Sequence, residues 1–240
     1  MKKIEIKCLN KSHEKPEEFL SKIVDITFSK RFNKSDKPEE LLQNFNETTL
    51  RNVIEMNHTS ILEHVNVTYL IQGASRSLLA QITRHRLFSF LSASQHYIDY
   101  SDFAEFVIPV ELEETDKIRD YLEANKRALE EYKTLIQSGV KHEVARQLLP
   151  NSMRNNLIIT GNLRQWLNFM NQRLCNRNTS EIHYIAHVIK EDLKEYVPTI
   201  AEYMGPDCLH DKCTQKHMFC GEKYSDEKIA EKYKVLKNER

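Results

Sequence analysis

Glycine and proline are scarce in this chain, five and six among 240 residues, which excludes collagen-like and low-complexity organisation. Tryptophan occurs once, and no run approaches the roughly 18 uninterrupted apolar residues that a membrane helix needs, so a spanning protein is not expected. Net charge is missing too: 35 basic side chains face 35 acidic ones, a balance that argues against a nucleic-acid binder held by bulk charge. Met1-Lys2-Lys3-Ile4-Glu5 lacks the apolar run of a secretory leader. Cysteines number five, and an odd count without a leader argues against a disulfide framework. With 29% charged residues and a mean hydropathy of -0.60, a cytoplasmic globular protein is expected, with no membrane and no nucleic acid among its partners.

No internal repeat and no Gly/Ser/Pro linker interrupts the chain, so the expectation is one domain over 1–205 with a Cys/His-containing tail over 206–240. Ile4, Ile6 and Cys8 alternate and suggest an edge strand. Pro16 opens a helix through Phe32, and Pro38 to Met56 gives another, each with an apolar stripe. Val65 to Ile71 is β-branched and reads as a strand ended by Gly73, followed by helical spacing from Ala74 to Arg86. Phe106 to Pro109 predicts a short strand, Thr115 to Gln137 a helix stopped near Gly139, and His142 to Leu149 a further helix. Leu157 to Thr160 looks like a strand, with helices at Leu163–Arg173 and Ser180–Tyr196. Strands and helices mix without regular βαβ alternation, which points to an α+β fold, an antiparallel sheet core flanked by helices.

Arg84-His85-Arg86, followed by Ser89, Ser92, Ser94, His96 and Tyr97, offers many donors to a phosphate or carboxylate. It also suits a solvated basic helix end. On a helix, Gln81 and Arg84 stand one turn apart while Arg86 points elsewhere. Upstream, Ser60 and Glu63 have capping-box spacing, and His58, Glu63 and His64 lack the two-histidine, one-turn pattern of a zincin. Downstream, Arg164, Asn168 and Asn171 share a helical face, amides suited to heterocycle edges or to solvent. Arg173 falls on the other side, so either the helix ends there or that guanidinium points inward.

These residues resemble the flavin-dependent thymidylate synthase family, the thymidylate synthase complementing proteins. The family signature is Arg-His-Arg, seven residues, then Ser; here Arg84-His85-Arg86 is followed by Leu87 to Ala93 and then Ser94. The His58/Ser60/Glu63/His64 segment, Gln81, Arg146, Leu149-Pro150, Asn162-Leu163-Arg164, Asn168-Phe169 and Asn171-Gln172-Arg173 follow the family order from about residue 50 to 205. The resemblance implies that family's fold, a homotetramer with shared active sites, and conversion of dUMP to dTMP. Methylenetetrahydrofolate is the implied carbon donor, FAD the cofactor and NADPH the reductant, all small molecules. Carried over, Gln81, Ile82, Thr83, Arg84, Ser92, Ala93, Ser94, Gln95, His96, Arg146 and Arg173 would bind the nucleotide. Ser60, Arg84, His85, Arg86, Ser92, Asn162, Leu163, Arg164 and Asn168 would bind FAD. Arg173 is the implied catalytic residue, facing the uracil and favouring loss of its ring-nitrogen proton. No cysteine nucleophile is implied.

Two stretches depart from the family pattern. Where relatives carry Ser-x-Arg-Tyr this chain has Ser94-Gln95-His96-Tyr97, and Leu91-Ser92 replace an amide followed by Glu or Gln. Imidazole for guanidinium exchanges a permanent phosphate clamp for a side-chain type that titrates near neutrality, so weaker, pH-sensitive or altered nucleotide binding is expected. The same chemistry on another uracil nucleotide such as UMP is therefore an alternative, and a noncatalytic flavin- or nucleotide-binding paralogue is a second. Arg173 and the asparagine helix argue against the latter. In the tail, Cys208, Cys213 and Cys220 with His210 and His217 have zinc-ligand chemistry, but without a Cys-x2-Cys pair they read as reduced thiols and no metal is assigned.

Overall fold

The computed structural model describes residues 4–28, 47–113, 115–210 and 212–238. Four strands, β1 (Glu5–Lys11), β2 (Asn66–Ser75), β3 (Ser89–Ser92) and β4 (Arg154–Asn162), form an antiparallel sheet in the order β1-β2-β4-β3. The expected edge strand at the N-terminus is therefore an edge of the sheet, running on to Lys11. Helices are α1 (Pro16–Phe28), α2 (Glu47–Glu55), α3 (Arg76–Ile82), α4 (Val110–Glu113), α5 (Ile118–Gln137), α6 (His142–Ala145), α7 (Leu163–Arg173), α8 (Ser180–Tyr196), α9 (Pro198–Ala201) and α10 (Asp226–Asn238). The stretches 29–32 and 38–46 of the expected helices, including Leu41, Leu42 and Phe45, lie outside the described residues. The α+β expectation holds.

The chain divides into two compact units, Met1–Lys7 with Tyr69–Ile159, and Cys8–Thr68 with Thr160–Arg240. In the first, buried Tyr100, Tyr132, Ala145 and Met153 pack with Phe106, Leu129, Leu135, Ile136 and Leu149. Helix α5 ends in a Schellman motif: Gly139 sits at φ 84, its N–H donates to the Ile136 carbonyl (2.9 Å), and the Val140 N–H donates to that of Leu135 (3.0 Å). The helix starts at Ile118, later than expected, after a turn in which the Thr115 N–H (3.1 Å) and hydroxyl (3.0 Å) both donate to the Leu112 carbonyl.

In the second unit, Trp166 of α7 is wholly buried and its indole N–H is shared between the carbonyls of Gly161 (3.1 Å) and Val67 (3.3 Å). Phe169 and Met170, equally buried, contribute about 1.5–3 kcal/mol apiece. Helix α8 is buried on several sides, with α7, α9 and α10 packed against it. Glu17 of α1 satisfies the start of α9, accepting from the Ile200 N–H (3.1 Å) and the Thr199 hydroxyl (2.8 Å).

Several local expectations are corrected. Gly73 does not end β2; it lies within the strand at φ 77, its N–H donating to Asn156 Oδ1 (3.2 Å), a conformation that glycine allows without strain. Phe106 to Pro109 makes only an isolated antiparallel bridge, Phe106 with Met153. The helix from His142 tightens into a 3-10 turn at Arg146–Leu148 ahead of Pro150, which disfavours helical backbone at the residue before it. No capping box forms at Ser60. Thr59–His64 is a 3-10 helix whose N-cap, His58, makes no side-chain cap.

Candidate functional site

The sequence that turns β2 into α3 determines where the first group of polar residues stands. Ser75 has extended backbone and its hydroxyl accepts from the Leu78 N–H (3.0 Å), which starts α3 at Arg76. The helix stops at Ile82, with the Thr83 hydroxyl donating to the Leu79 carbonyl (2.8 Å). Arg84-His85-Arg86 therefore lies beyond the helix, in consecutive turns closed by His85 N–H to the Ile82 carbonyl and Phe88 N–H to that of His85, each 3.1 Å. His85 is buried with its ring tilted against Phe88, while Arg84 and Arg86 are exposed. A buried imidazole thus seats two outward guanidiniums. Ile82 is wholly buried, so its side chain is core and only its backbone remains for a nucleotide.

Strand β3, which the sequence pattern does not signal, follows directly and ends at Ser92. The Ala93 N–H then pairs with the Asn156 carbonyl (3.0 Å). The Ser94 hydroxyl accepts from the His96 N–H (3.0 Å), and the Tyr100 phenol donates to the Ser94 carbonyl (3.2 Å), so this loop is braced from within. Gln95 is buried, its amide against Met153 Sδ. His96 Nδ1 lies 3.0 Å from Glu143 Oε2, with Tyr97 edge-on at 4.2 Å. Arg146 is exposed, its Nε donating to the Glu143 carbonyl (3.2 Å).

A further guanidinium joins this group. Burial holds Arg76 below the ordinary arginine value; the phenol of Tyr100 opposes that shift, and like-charge repulsion from Arg146 adds to it. Repulsion between guanidiniums is relieved by an anion. Sequence reading missed Arg76 because nothing in its local pattern distinguishes it from a solvated first-turn residue.

In the other unit, Asn162 caps α7, its Oδ1 accepting from the Gln165 N–H (2.9 Å). The Leu163 side chain is wholly buried and its N–H is bound to the Val65 carbonyl (2.9 Å). Arg164 pairs with Glu63 of the 3-10 turn that also carries Ser60. Asn168 is exposed on the same side of α7. Asn171 is structural: oriented with its nitrogen donating, it meets the carbonyls of Leu167 (3.0 Å) and Gly205 (2.8 Å). The helix ends at Arg173, the first of the two alternatives that its position left open. That guanidinium is half-buried, Nη1 donating to Asn178 Oδ1 (3.2 Å), and burial lowers its pKa from the ordinary arginine value. Asn178 is itself fixed by its own amide, which donates to the carbonyls of Gln172 (2.7 Å) and Cys175 (3.0 Å).

Residues 9–199 match the family described as "Thymidylate synthase complementing protein". The chain belongs to that family. It is 34% identical over 174 residues to a flavin-dependent thymidylate synthase of Geobacter sulfurreducens, covering 72% of this chain and 75% of that one. With the flavin-dependent thymidylate synthase of Clostridium tetani it shares 30% identity over 212 residues, 80% of this chain and 85% of the relative. A solved structure of a UMP/dUMP methylase from Streptomyces cacaoi, bound with 5-Br dUMP, has a similar fold, with a TM-score of 0.64 and 21% identity over 84% of this chain and 94% of that one. The family is one of methyltransferase enzymes that use a flavin. Among the described residues no helix is long and apolar enough to cross a membrane.

Proposed function

We propose that this chain methylates dUMP to dTMP, taking the carbon from methylenetetrahydrofolate and using FAD with NADPH as reductant. The observation that carries the reading is the turn at Arg84-His85-Arg86, where buried His85 aims two exposed guanidiniums outward in a chain of this family. Guanidiniums match a pyrophosphate and amides match heterocycle edges, so Arg84 and Arg86, and separately Asn162, Arg164 and Asn168, carry donors suited to FAD, with Ser60 and Ser92. His85 and Leu163, both buried, would position these neighbours rather than touch it. Bound and reduced, the flavin supplies the hydride that completes the methyl group.

The chain's own residues would do the rest. Arg146 and Arg76 would clamp the nucleotide phosphate, with Gln81 and the Ser92–His96 loop beside it. Arg173, half-desolvated and steadied by Asn178, would stand by the uracil and stabilise the anion left when its ring nitrogen loses a proton. A low-dielectric setting strengthens that interaction.

The proposal extends to a homotetramer with shared active sites in the cytoplasm, with residues 206–240 as an appendage to the enzyme domain over 1–205. Leu87, Leu91, Tyr97 and Phe103 are between 58% and 81% exposed around the nucleotide loop, apolar surface that subunit contacts would cover. The family match stops at residue 199, which agrees with an appended tail.

A second reading keeps the chemistry and changes the acceptor to UMP, favoured by His96 and Leu91 in place of the family's polar pair and by the solved relative's use of UMP or dUMP. The test is the visible spectrum of the purified full chain, followed by anaerobic addition of dUMP, then UMP, to the reduced protein with methylenetetrahydrofolate. Bound yellow FAD and dTMP formed from dUMP are expected. Product from UMP alone would move the assignment to the second reading. A colourless chain that cannot be reconstituted with FAD overturns both.

A further inference from the structure

Four of the five cysteines line one cavity. Cys175 comes from the loop after α7, and Cys208, Cys213 and Cys220 from the irregular tail before α10. The cavity measures about 360 Å³ and is also bordered by Asn171, Asn176, Arg177, Asp207, Gln215 and Glu222 among others. All four are free thiols, three half-buried and Cys220 exposed. Among the described residues the tail that bears them has two single-turn 3-10 helices before α10, Asp207–Leu209 and Lys216–Met218, and it is held to the loop after α7 by side-chain hydrogen bonds, Asn176 to Glu222 and Arg177 to Gln215, each 3.2 Å.

Sequence spacing hid this grouping. Cys208, Cys213 and Cys220 lack the close pair of a zinc motif, and the fourth thiol lies 33 residues before the first of them. The tail histidines that seemed the natural partners are not on the cavity; His210 Nε2 is engaged with the Glu202 carbonyl at 2.9 Å. Cys8, the remaining cysteine, is on β1, with its thiol toward the Asn10 carbonyl at 3.7 Å.

We propose that this cavity is a structural zinc site closed by Cys175, Cys208, Cys213 and Cys220. Four thiolates are a complete tetrahedral set for a soft divalent ion, with no position left for water or substrate. Among the described residues no three His, Cys, Asp or Glu side chains already stand close enough to hold a metal, so the tail moves inward on binding, and it has little regular structure to resist that. Each thiol gives its proton to solvent as it ligates. The ion fastens the tail to the loop two residues beyond Arg173, joining the appended segment to the end of α7.

The test uses the full chain, purified under reducing conditions with zinc present. Elemental analysis should find one zinc per chain, and titration of the thiols with an organomercurial should release it to a chromogenic chelator. Cobalt exchanged for zinc should give the sulfur-to-metal charge-transfer and intense d–d bands of tetrahedral thiolate ligation. Cys213→Ser and Cys175→Ser, each removing one of four thiolates, should weaken and shift the charge-transfer bands, whereas Cys8→Ser leaves them unchanged. Zinc-free protein with every thiol titratable overturns the proposal. So does cobalt that binds without charge-transfer bands, or iron recovered with labile sulfide. The mercurial titration needs no variant, so a misfolded Cys→Ser protein cannot mask the answer.

Discussion

His96 is where the proposed nucleotide site departs most from the family pattern. Where the family resemblance implies a guanidinium, this chain has an imidazole 3.0 Å from the Glu143 carboxylate, and an imidazole cannot grip a phosphate with two parallel N–H groups as arginine does. His96→Arg should therefore tighten dUMP binding by roughly ten-fold, about 1.4 kcal/mol, the low end for a hydrogen bond to a charged group. Calorimetric titration of wild type and variant checks this; unchanged affinity would show that the position does not meet the phosphate. Asn171 teaches the opposite lesson. Its amide belongs to the carbonyls of Leu167 and Gly205, so helical spacing alone overstated the polar face of α7.

At the scale of elements, α10 is fastened to α8 by a buried charge. Lys190 is 1% exposed and donates to both carboxylate oxygens of Asp226 (2.8 and 2.9 Å), with the Tyr224 phenol donating to the same group (2.5 Å). Burial would raise the Asp226 carboxyl, but its partners bring it below the usual range, whereas burial dominates at Lys190 and leaves the ammonium below its ordinary value. The pair is thus asymmetric, the lysine bearing the desolvation. Asp226→Asn should cost about 3 kcal/mol because it strands a buried cation, while Lys190→Met should cost under about 1 kcal/mol, because the more exposed Asp226 keeps Lys194 (3.2 Å) and the Tyr224 phenol. Urea unfolding of the two variants decides: equal losses would mean that packing, not charge, sets the cost. Hydrogen exchange in 226–238 should rise in the first variant alone.

For the whole molecule, one buried imidazole, that of His183, ties stability to pH. Its Nε2–H donates to the Leu174 carbonyl (3.2 Å) and its Nδ1 accepts from Tyr233 (2.7 Å), an arrangement that the neutral ring satisfies fully. Burial first, and the nearby Lys232 charge second, push it down to about 4. The unfolded chain takes up this proton near pH 6.5 and the folded one does not, so stability is complete above that value and falls as the pH drops towards 4. The loss should approach about 3 kcal/mol by the acid end, since the folded chain forgoes roughly 1.4 kcal/mol for every pH step of one between the two values. Denaturant unfolding from pH 7 to 4 should show this fall in the wild type and a shallower one in His183→Gln. Parallel curves would assign the acid limb to other groups.

The amino-acid sequence by itself determined what depends on neighbours along the chain. The apolar period of 163–173 and 180–196 set both helices to the residue, Gly139 set the end of α5, and the Arg-His-Arg signature with its ordered companions was enough to place the chain in its family. Periodicity reports which side of an element is buried and says nothing of what covers it. For that reason only the tertiary structure decided that Ser89–Ser92 is a strand, since a four-residue segment owes its form to the partner it pairs with. It alone turned Asn171 into a brace for Gly205 and carried Cys175 to the three tail cysteines. Each of these pairings spans at least 33 residues, a separation over which a sequence carries no local signal of contact.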